Sequence, residues 1–170
     1  MSIEANYEYR TGIGTDIHRL VGNRQLMLGG VEIAYPRGLL GHSDGDVLLH
    51  AVIDAILGAM SMGDIGAMFP DSDPQWKDAD SSDLLFAVSR HAADRQWEIV
   101  NLDMIVHAEE PRLQPHKQQM KRTIASVLGI DFNSVNVKAK TSEGLGDIGA
   151  AQAISATAIV LLRRRLKRTL

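Results

Sequence analysis

GLLGHSDGDVLLHAVIDAILGAM, residues 38–60, joins a polar, glycine-containing loop to a long apolar run. Apolar side chains recur at helical spacing after the loop. The sequence therefore predicts a loop over Gly38–Gly45, followed by a helix over Asp46–Met60.

The turn before this predicted helix has two interpretations. Ser43 or Asp44 is expected to cap the helix, because both side chains accept hydrogen bonds from the first backbone N–H groups. His42 lies beside the same N-terminus, where the N–H groups and the helix dipole favour anions. The turn thus suits either a simple cap or a phosphate-binding loop.

On both sides of this unit the chain alternates between patterns typical of strands and helices. Strands are predicted over Tyr9–His18, Ile99–Val106, Val135–Lys140 and Gln152–Leu162, a hairpin over Gln25–Ile33, further helices over Ser81–Arg95 and Pro115–Leu128, and a long irregular loop over Gly63–Ala79. This order predicts an α+β fold in which helices cover one face of a mixed β-sheet. The other face must also be buried, so we expect subunits to pack sheet against sheet.

The composition excludes several classes of protein. The 170 residues are 45% hydrophobic, contain no cysteine and carry a formal net charge of -3. We expect one domain over residues 1–170, with a flexible N-terminus over residues 1–8 and a solvated basic tail over residues 163–170. The charge does not favour nucleic acid and no run is apolar enough to span a bilayer, so we expect a cytoplasmic protein without either partner. Without cysteine, any metal must be held by His, Asp or Glu.

Asp16 and His18 stand two residues apart near the end of a predicted strand, so their side chains face the same side. A carboxylate and an imidazole held side by side form half of a zinc site, and His50 is the best candidate for a third ligand. Asp46 and Asp54 lie one turn away from His50, where either is expected to accept its second ring N–H. Three ligands leave one position open for catalysis. The alternative is a buried structural histidine beside a strand aspartate.

Six blocks follow one another in order over almost the whole chain after its first residues. They are GTDIH at 14–18, GLLGHSDGDVLLH at 38–50, GDIG at 63–66, FPDSD at 69–73, PRLQPH at 111–116 and VNVKAKTSE at 135–143. Together they resemble the 2-C-methyl-D-erythritol 2,4-cyclodiphosphate synthases of the non-mevalonate isoprenoid pathway. The block with His-Ser-Asp-Gly-Asp-Val and a downstream histidine is very specific to that family.

The resemblance implies an intramolecular reaction. The 2-phosphate of 4-diphosphocytidyl-2-C-methyl-D-erythritol 2-phosphate attacks the β-phosphorus of the cytidine diphosphate moiety and gives the cyclic diphosphate and CMP. Asp16, His18 and His50 match the zinc ligands of the family. Glu143 matches the ligand of a second divalent ion, magnesium or manganese.

The resemblance also assigns the residues that bind substrate. His42 and Thr141 match residues that position and stabilise the transferring phosphate. The implied substrate-binding residues are Asp16, His18, His42 and Ser43, then Asp64, Ile65, Gly66, Phe69, Pro70, Asp71, Ser72 and Asp73 on the methylerythritol side, and Ala108, Pro111, Arg112, Leu113, Gln114, Lys140, Thr141, Ser142 and Glu143 on the cytidine diphosphate side. Members of the family are homotrimers around a three-fold axis with sites shared between neighbouring subunits, which agrees with the expected sheet-to-sheet packing.

The residue types in these blocks fit this chemistry. A phosphate nucleophile is already ionised at neutral pH, so no general base is required. An anion must nevertheless approach an anionic diphosphate, and the blocks are poor in Lys and Arg. Metal ions are therefore expected to neutralise the phosphates.

One segment departs from the family. Many members carry LGF and then GRGEG after the Thr/Ser-Glu block, whereas residues 145–153 here read LGDIGAAQA. Asp147, Ala150 and Gln152 replace the aromatic residue, the arginine and the glutamate. In the family that arginine and glutamate line a cavity on the trimer axis that binds prenyl diphosphates in some members. We expect this chain not to bind them there, because the bidentate partner of the diphosphate is absent.

Three other functions stay open from the sequence. The same zinc ligands would suit a phosphohydrolase that uses water in place of the internal phosphate. A structural metal in a non-catalytic trimeric binding module is a second alternative, although an open coordination position argues against it. The basic C-terminal run is the basis of a third, a nucleic-acid binder.

Overall fold

The structure is a computed structural model, and it describes residues 6–166. Its strands are β1 Tyr7–Gly22, β2 Leu26–Met27, β3 Glu32–Ile33, β4 Arg37–Leu39, β5 Glu98–His107, β6 Val135–Lys140 and β7 Ala153–Arg165; its helices are α1 Val47–Ala59, α2 Ile65–Met68, α3 Ser81–Asp94, α4 Lys117–Leu128 and α5 Gly146–Gly149, with 3-10 turns at Pro74–Trp76 and Phe132–Ser134. No helix within these residues is long and apolar enough to cross a bilayer.

A five-stranded mixed sheet in the order β4-β1-β7-β5-β6 forms one layer, and β2 and β3 form a separate hairpin. β5 and β6 are parallel, and the other neighbours are antiparallel. The helix α1 is buried along most of its length and packs across β1 and β7. α3 packs beside α1, and α4 packs against α3 and β6. The predicted α+β sheet with helices is confirmed.

Close contact between β1 and α1 depends on two glycines. A Cβ on Gly12 would lie 1.9 Å from the carbonyl oxygen of Ala55, and one on Gly14 would lie 2.1 Å from that of Ala51. Both separations are far shorter than van der Waals contact. The backbones of strand and helix therefore touch directly, which brings the end of β1 beside the helical turn that carries His50.

The opposite face of the sheet carries large apolar side chains that no described element covers. Ile13 is 67% exposed and Ile17 is 56% exposed on β1, and Ile159 of β7 is also exposed beside them. Ile13 pairs directly with Ile159 in the strand register, so the side chains form one continuous surface. Contiguous apolar surface of this kind is typical of a subunit interface.

Most predicted strand and helix positions are confirmed to within a few residues, and three local predictions are wrong. Asp46 caps α1, in place of Ser43 or Asp44. The segment 63–79 is not wholly irregular, because it contains α2 and a 3-10 turn.

The third concerns the chain ends, which lie in the sheet as far as they are described. β1 begins at Tyr7, and Arg163 and Arg164 belong to β7, where they pair with Glu98 and Glu8 at 2.8 and 2.6 Å. A run of arginines predicts a solvated tail. Here Glu98 and Glu8, on the two neighbouring strands, pair with the arginines and hold the run in the sheet. Residues 1–5 and 167–170 of the predicted flexible ends lie outside the described range.

Candidate metal and substrate site

Three predicted metal ligands converge at the end of β1 and the middle of α1. His18 Nε2 lies 3.1 Å from His50 Nδ1, and each of these nitrogens lies 3.0 Å from Asp16 Oδ2. The three atoms therefore form a nearly equilateral triangle. Strand alternation places Asp16 and His18 on one side, and the glycine-mediated contact with α1 supplies His50.

This donor set fits a divalent cation. Three ligands held at about 2.0–2.1 Å by a tetrahedral zinc ion lie about 3.3–3.4 Å apart, so the triangle needs only a small expansion to accept one. One carboxylate and two imidazoles are also ligand types that zinc prefers. Among the described residues, this is the group of three whose donor atoms lie close enough together to hold a metal ion.

Asp16 and His50 shift each other's pKa values toward their charged forms. Burial works to raise the pKa of Asp16, but hydrogen bonds to His18 and His50 outweigh it and hold the pKa well below its usual range. Burial works to lower the pKa of His50, and the bond to Asp16 outweighs it, so that pKa lies above its ordinary value. Asp16 is therefore ionised at neutral pH, as a metal ligand requires.

The second ring nitrogen of His50 contacts two serines. Nε2 lies 3.0 Å from Ser43 Oγ and 3.0 Å from Ser81 Oγ, all within the protein interior. The prediction that Asp46 or Asp54 accepts this ring N–H is wrong, since neither carboxylate bonds to the His50 ring in the described part of the chain. Sequence spacing did not indicate Ser81, which lies 31 residues away and meets His50 only through the packing of α3 on α1.

Asp46 and Asp54 instead hold backbone segments. The buried Asp46 carboxylate accepts from the N–H groups of Gly29 and Gly30 in the β2–β3 hairpin and from two N–H groups of α1. Burial raises its pKa, and these backbone bonds oppose that effect. Asp54 accepts from the N–H of Ile65 at 2.7 Å and so fixes α2 to α1.

A cavity opens beside the triangle. It is lined by Asp16, His18, His42, Ser43, His50, Asp54, Ile65, Gly66, Phe69, Asp71, Trp76 and Leu84. The predicted phosphate-side and methylerythritol-side residues thus largely come together. Asp64 turns instead to cap α2, and Asp73 accepts from the N–H of Gln75. Pro70, Ser72 and Asp73 belong to the same loop without lining the cavity.

The predicted cytidine diphosphate residues form a second group, away from this cavity. Ala108 donates its N–H to Lys140 at 2.9 Å, and the N–H of Ser142 donates to Glu109 at 3.2 Å, so two loops are held side by side. The Thr141 hydroxyl donates to Glu143 at 2.6 Å. This group follows β5 and β6, and Pro111, Arg112, Leu113 and Gln114 continue it toward α4.

The two groups lie at the same end of the sheet but on different strands. β1 is separated from β6 by β7 and β5, so three strand spacings of about 4.8 Å give about 14 Å between them. None of the residues from 108 to 114 or from 140 to 143 lines the cavity. Within one chain, the structure therefore does not bring Glu143 to the metal triangle.

Comparison with known proteins gives a consistent result. A model described as the YgbB family matches residues 9–163. A 2-C-methyl-D-erythritol 2,4-cyclodiphosphate synthase of Syntrophomonas wolfei is 54% identical over 155 residues, which cover 91% of this chain and 99% of that protein.

Solved structures agree with this result. The bifunctional IspDF of Campylobacter jejuni superposes with a TM-score of 0.90 and 42% identity over 94% of this chain and 43% of that one. A Plasmodium falciparum IspF in complex with CDP gives a TM-score of 0.82 and 35% identity over 93% of this chain and 97% of that one. The fold, the metal triangle and the sequence matches point the same way: the chain belongs to the YgbB family, that of the 2-C-methyl-D-erythritol 2,4-cyclodiphosphate synthases.

Proposed function

We propose that this chain converts 4-diphosphocytidyl-2-C-methyl-D-erythritol 2-phosphate into 2-C-methyl-D-erythritol 2,4-cyclodiphosphate and CMP, as a cyclising phosphorus–oxygen lyase of isoprenoid biosynthesis. The observation that carries the proposal is the triangle of Asp16, His18 and His50 at the head of a cavity in a chain of this family. The lack of cysteine suits a reducing compartment, and we place the enzyme in the cytoplasm.

The side chains of the cavity suit a reaction between two phosphates. Its lining contains three aspartates and three histidines and no lysine or arginine. The chain therefore provides metal ligands rather than its own cations. Bound by Asp16, His18 and His50, a zinc ion would supply Lewis-acid charge to phosphate oxygens, with magnesium or manganese at Glu143 as the second ion.

The chain's own residues then orient the substrate. His42 lies in the turn before α1 and lines the cavity, where its ring can donate a hydrogen bond to a phosphate oxygen. Phe69 and Trp76 meet edge to face at 4.9 Å and form an apolar wall that limits water beside the reacting groups. Thr141, which donates its hydroxyl to Glu143, is proposed to position and stabilise the transferring phosphate. Positioning of a nucleophile that is already ionised is the main task.

We propose that each complete site combines two subunits. Within one chain about 14 Å of sheet separates the end of β1 from the end of β6, too far for one substrate diphosphate to contact both. A neighbouring subunit that packs on the apolar sheet face around Ile13, Ile17 and Ile159 would bury that surface and bring its own residues 108–114 and 140–143 to the cavity. A homotrimer around a three-fold axis satisfies every subunit in the same way.

Product analysis tests the proposed reaction. With zinc and magnesium present, the purified protein is expected to release CMP and a cyclic diphosphate in equal amounts, and chelation of the metals is expected to abolish both. Phosphorus NMR distinguishes the cyclic product from free phosphate. Release of inorganic phosphate without the cyclic product would instead identify a metal phosphohydrolase that uses water.

The departures at Asp147, Ala150 and Gln152 predict a second property. Farnesyl diphosphate is expected to bind weakly or not at all, because residues 145–153 contribute no cation for its diphosphate. Isothermal titration calorimetry of the wild type, compared with the Ala150→Arg variant, measures this directly. Tight binding by the wild type contradicts the prediction.

A further inference from the structure

His50 lies at the end of a buried chain of hydrogen bonds that begins at Asp44. Ser81 Oγ lies 2.5 Å from Asp44 Oδ1 and 3.0 Å from His50 Nε2, and its own side chain is fully buried. The backbone N–H of Ser81 also donates to Asp44 Oδ2 at 3.2 Å. Two bonds to the same carboxylate fix the position of Ser81 at the start of α3.

The chemistry of the partners sets the direction of each bond. An ionised carboxylate only accepts, so Ser81 donates its hydroxyl proton to Asp44. Its oxygen is then left to accept from the ring, which means that His50 Nε2 carries the proton. Ser43 Oγ accepts from the N–H of Gly45 at 3.2 Å and can also accept the His50 ring proton. The direction of the ring's hydrogen bond is therefore unchanged.

With the Nε2 proton held by the serine oxygens, Nδ1 is the ring atom that faces the site. Without a metal it donates to the ionised Asp16 carboxylate, and once it gives up that proton its lone pair can bind a cation. Nδ1 is the atom that lies 3.0 Å from Asp16 Oδ2 and 3.1 Å from His18 Nε2. The hydrogen bonds on one side of the ring therefore select the form that can bind a cation on the other side. Metal-binding histidines generally depend on such a partner for the second ring nitrogen.

We propose that Asp44 and Ser81 are positioning residues, which hold His50 in the Nε2–H tautomer and so present Nδ1 to the metal. The inference rests on the proposed metal site, because it concerns the geometry of one of its ligands. Asp44 reaches the His50 ring through Ser81, and it also accepts the backbone N–H of Asp46 at the start of α1 at 3.1 Å. The contact also ties α3 to α1, so the orientation of the ring depends on the packing of two helices.

Zinc affinity, measured by chelator competition on the full chain, tests the proposal without an activity assay. Ser81→Ala and Asp44→Ala are each expected to weaken zinc binding about 10- to 100-fold. The double variant is expected to bind no more weakly than the poorer single one, because both changes break the same chain. Ser89→Ala is the matched control on α3, since among residues 6–166 its hydroxyl bonds only to the carbonyl of Phe86. Its zinc affinity is expected to equal that of the wild type.

A second measurement does not depend on any variant folding. Proton–nitrogen NMR of the wild type is expected to show a proton on His50 Nε2 both with zinc bound and without metal. A ring without a proton on Nε2, or Ser81→Ala with unchanged zinc affinity, overturns the positioning role while leaving the metal site intact. If Asp16→Ala binds zinc as tightly as the wild type, the proposed metal site is wrong, and this inference fails with it.

Discussion

Two inactive variants of this protein, His50→Ala and Glu143→Ala, are expected to recover about a quarter of wild-type activity when they are co-expressed and assemble into mixed trimers. Each variant alone is expected to lose about 100-fold or more in kcat, since each removes a group that acts on the transferring phosphate. Recovery is expected because, in the proposed shared site, the two residues serve the same substrate from different subunits.

The expected quarter follows from how two subunits build each proposed site. One subunit provides Asp16, His18 and His50, the metal half, and the other provides residues 108–114 and 140–143, the nucleotide half. A site is intact when its metal half comes from a Glu143→Ala subunit and its nucleotide half comes from a His50→Ala subunit. In random assembly each condition holds for one half of the subunits, so about one quarter of the sites are wild type. If each chain built a complete site alone, every site would carry one of the two lesions.

The matched control uses two lesions in the same half. Co-expression of His50→Ala with Asp16→Ala is expected to restore nothing, because every metal half then lacks a ligand. Native mass spectrometry of differently tagged subunits establishes that mixed oligomers have formed. Mixed oligomers that stay inactive for the first pair would contradict the shared site, and a monomeric wild type would contradict the trimer.

The sequence predicted the parts of this structure that depend on local periodicity. The two-residue spacing of Asp16 and His18 placed both on one side of a strand, and the apolar spacing after Asp46 predicted α1. The approach of His50 to that pair was inferred as a hypothesis, and the triangle of 3.0–3.1 Å now supports it. Ordered sequence blocks, rather than spacing, carried the family assignment.

The remaining features depend on contacts between distant segments. Spacing put Asp46 and Asp54 one turn from His50, but Asp46 turns to the free N–H groups at the start of α1 and Asp54 to Ile65. Free N–H groups at a helix end compete more strongly for a carboxylate than a ring N–H that already has another acceptor. That acceptor, Ser81, follows a loop whose path no local pattern specifies.

The contact between β1 and α1 leads to the second large effect, a loss of stability in Gly14→Ala. The added Cβ would lie 2.1 Å from the carbonyl oxygen of Ala51, which is backbone and cannot move aside as a flexible side chain would. Strand and helix must separate, at an expected cost of about 2–3 kcal/mol. For a domain of this size the melting temperature is expected to fall by roughly 4–12 °C.

Gly58→Ala provides the matched control, because it is the same substitution on the helix that Gly14 contacts. A Cβ there would meet only the carbonyl oxygen of Ile13, at 3.8 Å, so there is room for it. In a helix, alanine is also more favourable than glycine by up to about 1 kcal/mol. The Gly58→Ala variant is therefore expected to melt at or above the wild-type temperature. Equal melting temperatures for Gly14→Ala and wild type would show that the strand does not depend on direct backbone contact.

Asp16 follows Gly14 by two residues and His50 precedes Ala51, so separation of these backbones also pulls the ligand triangle apart. Zinc affinity is therefore expected to fall together with stability in Gly14→Ala, and to stay unchanged in Gly58→Ala.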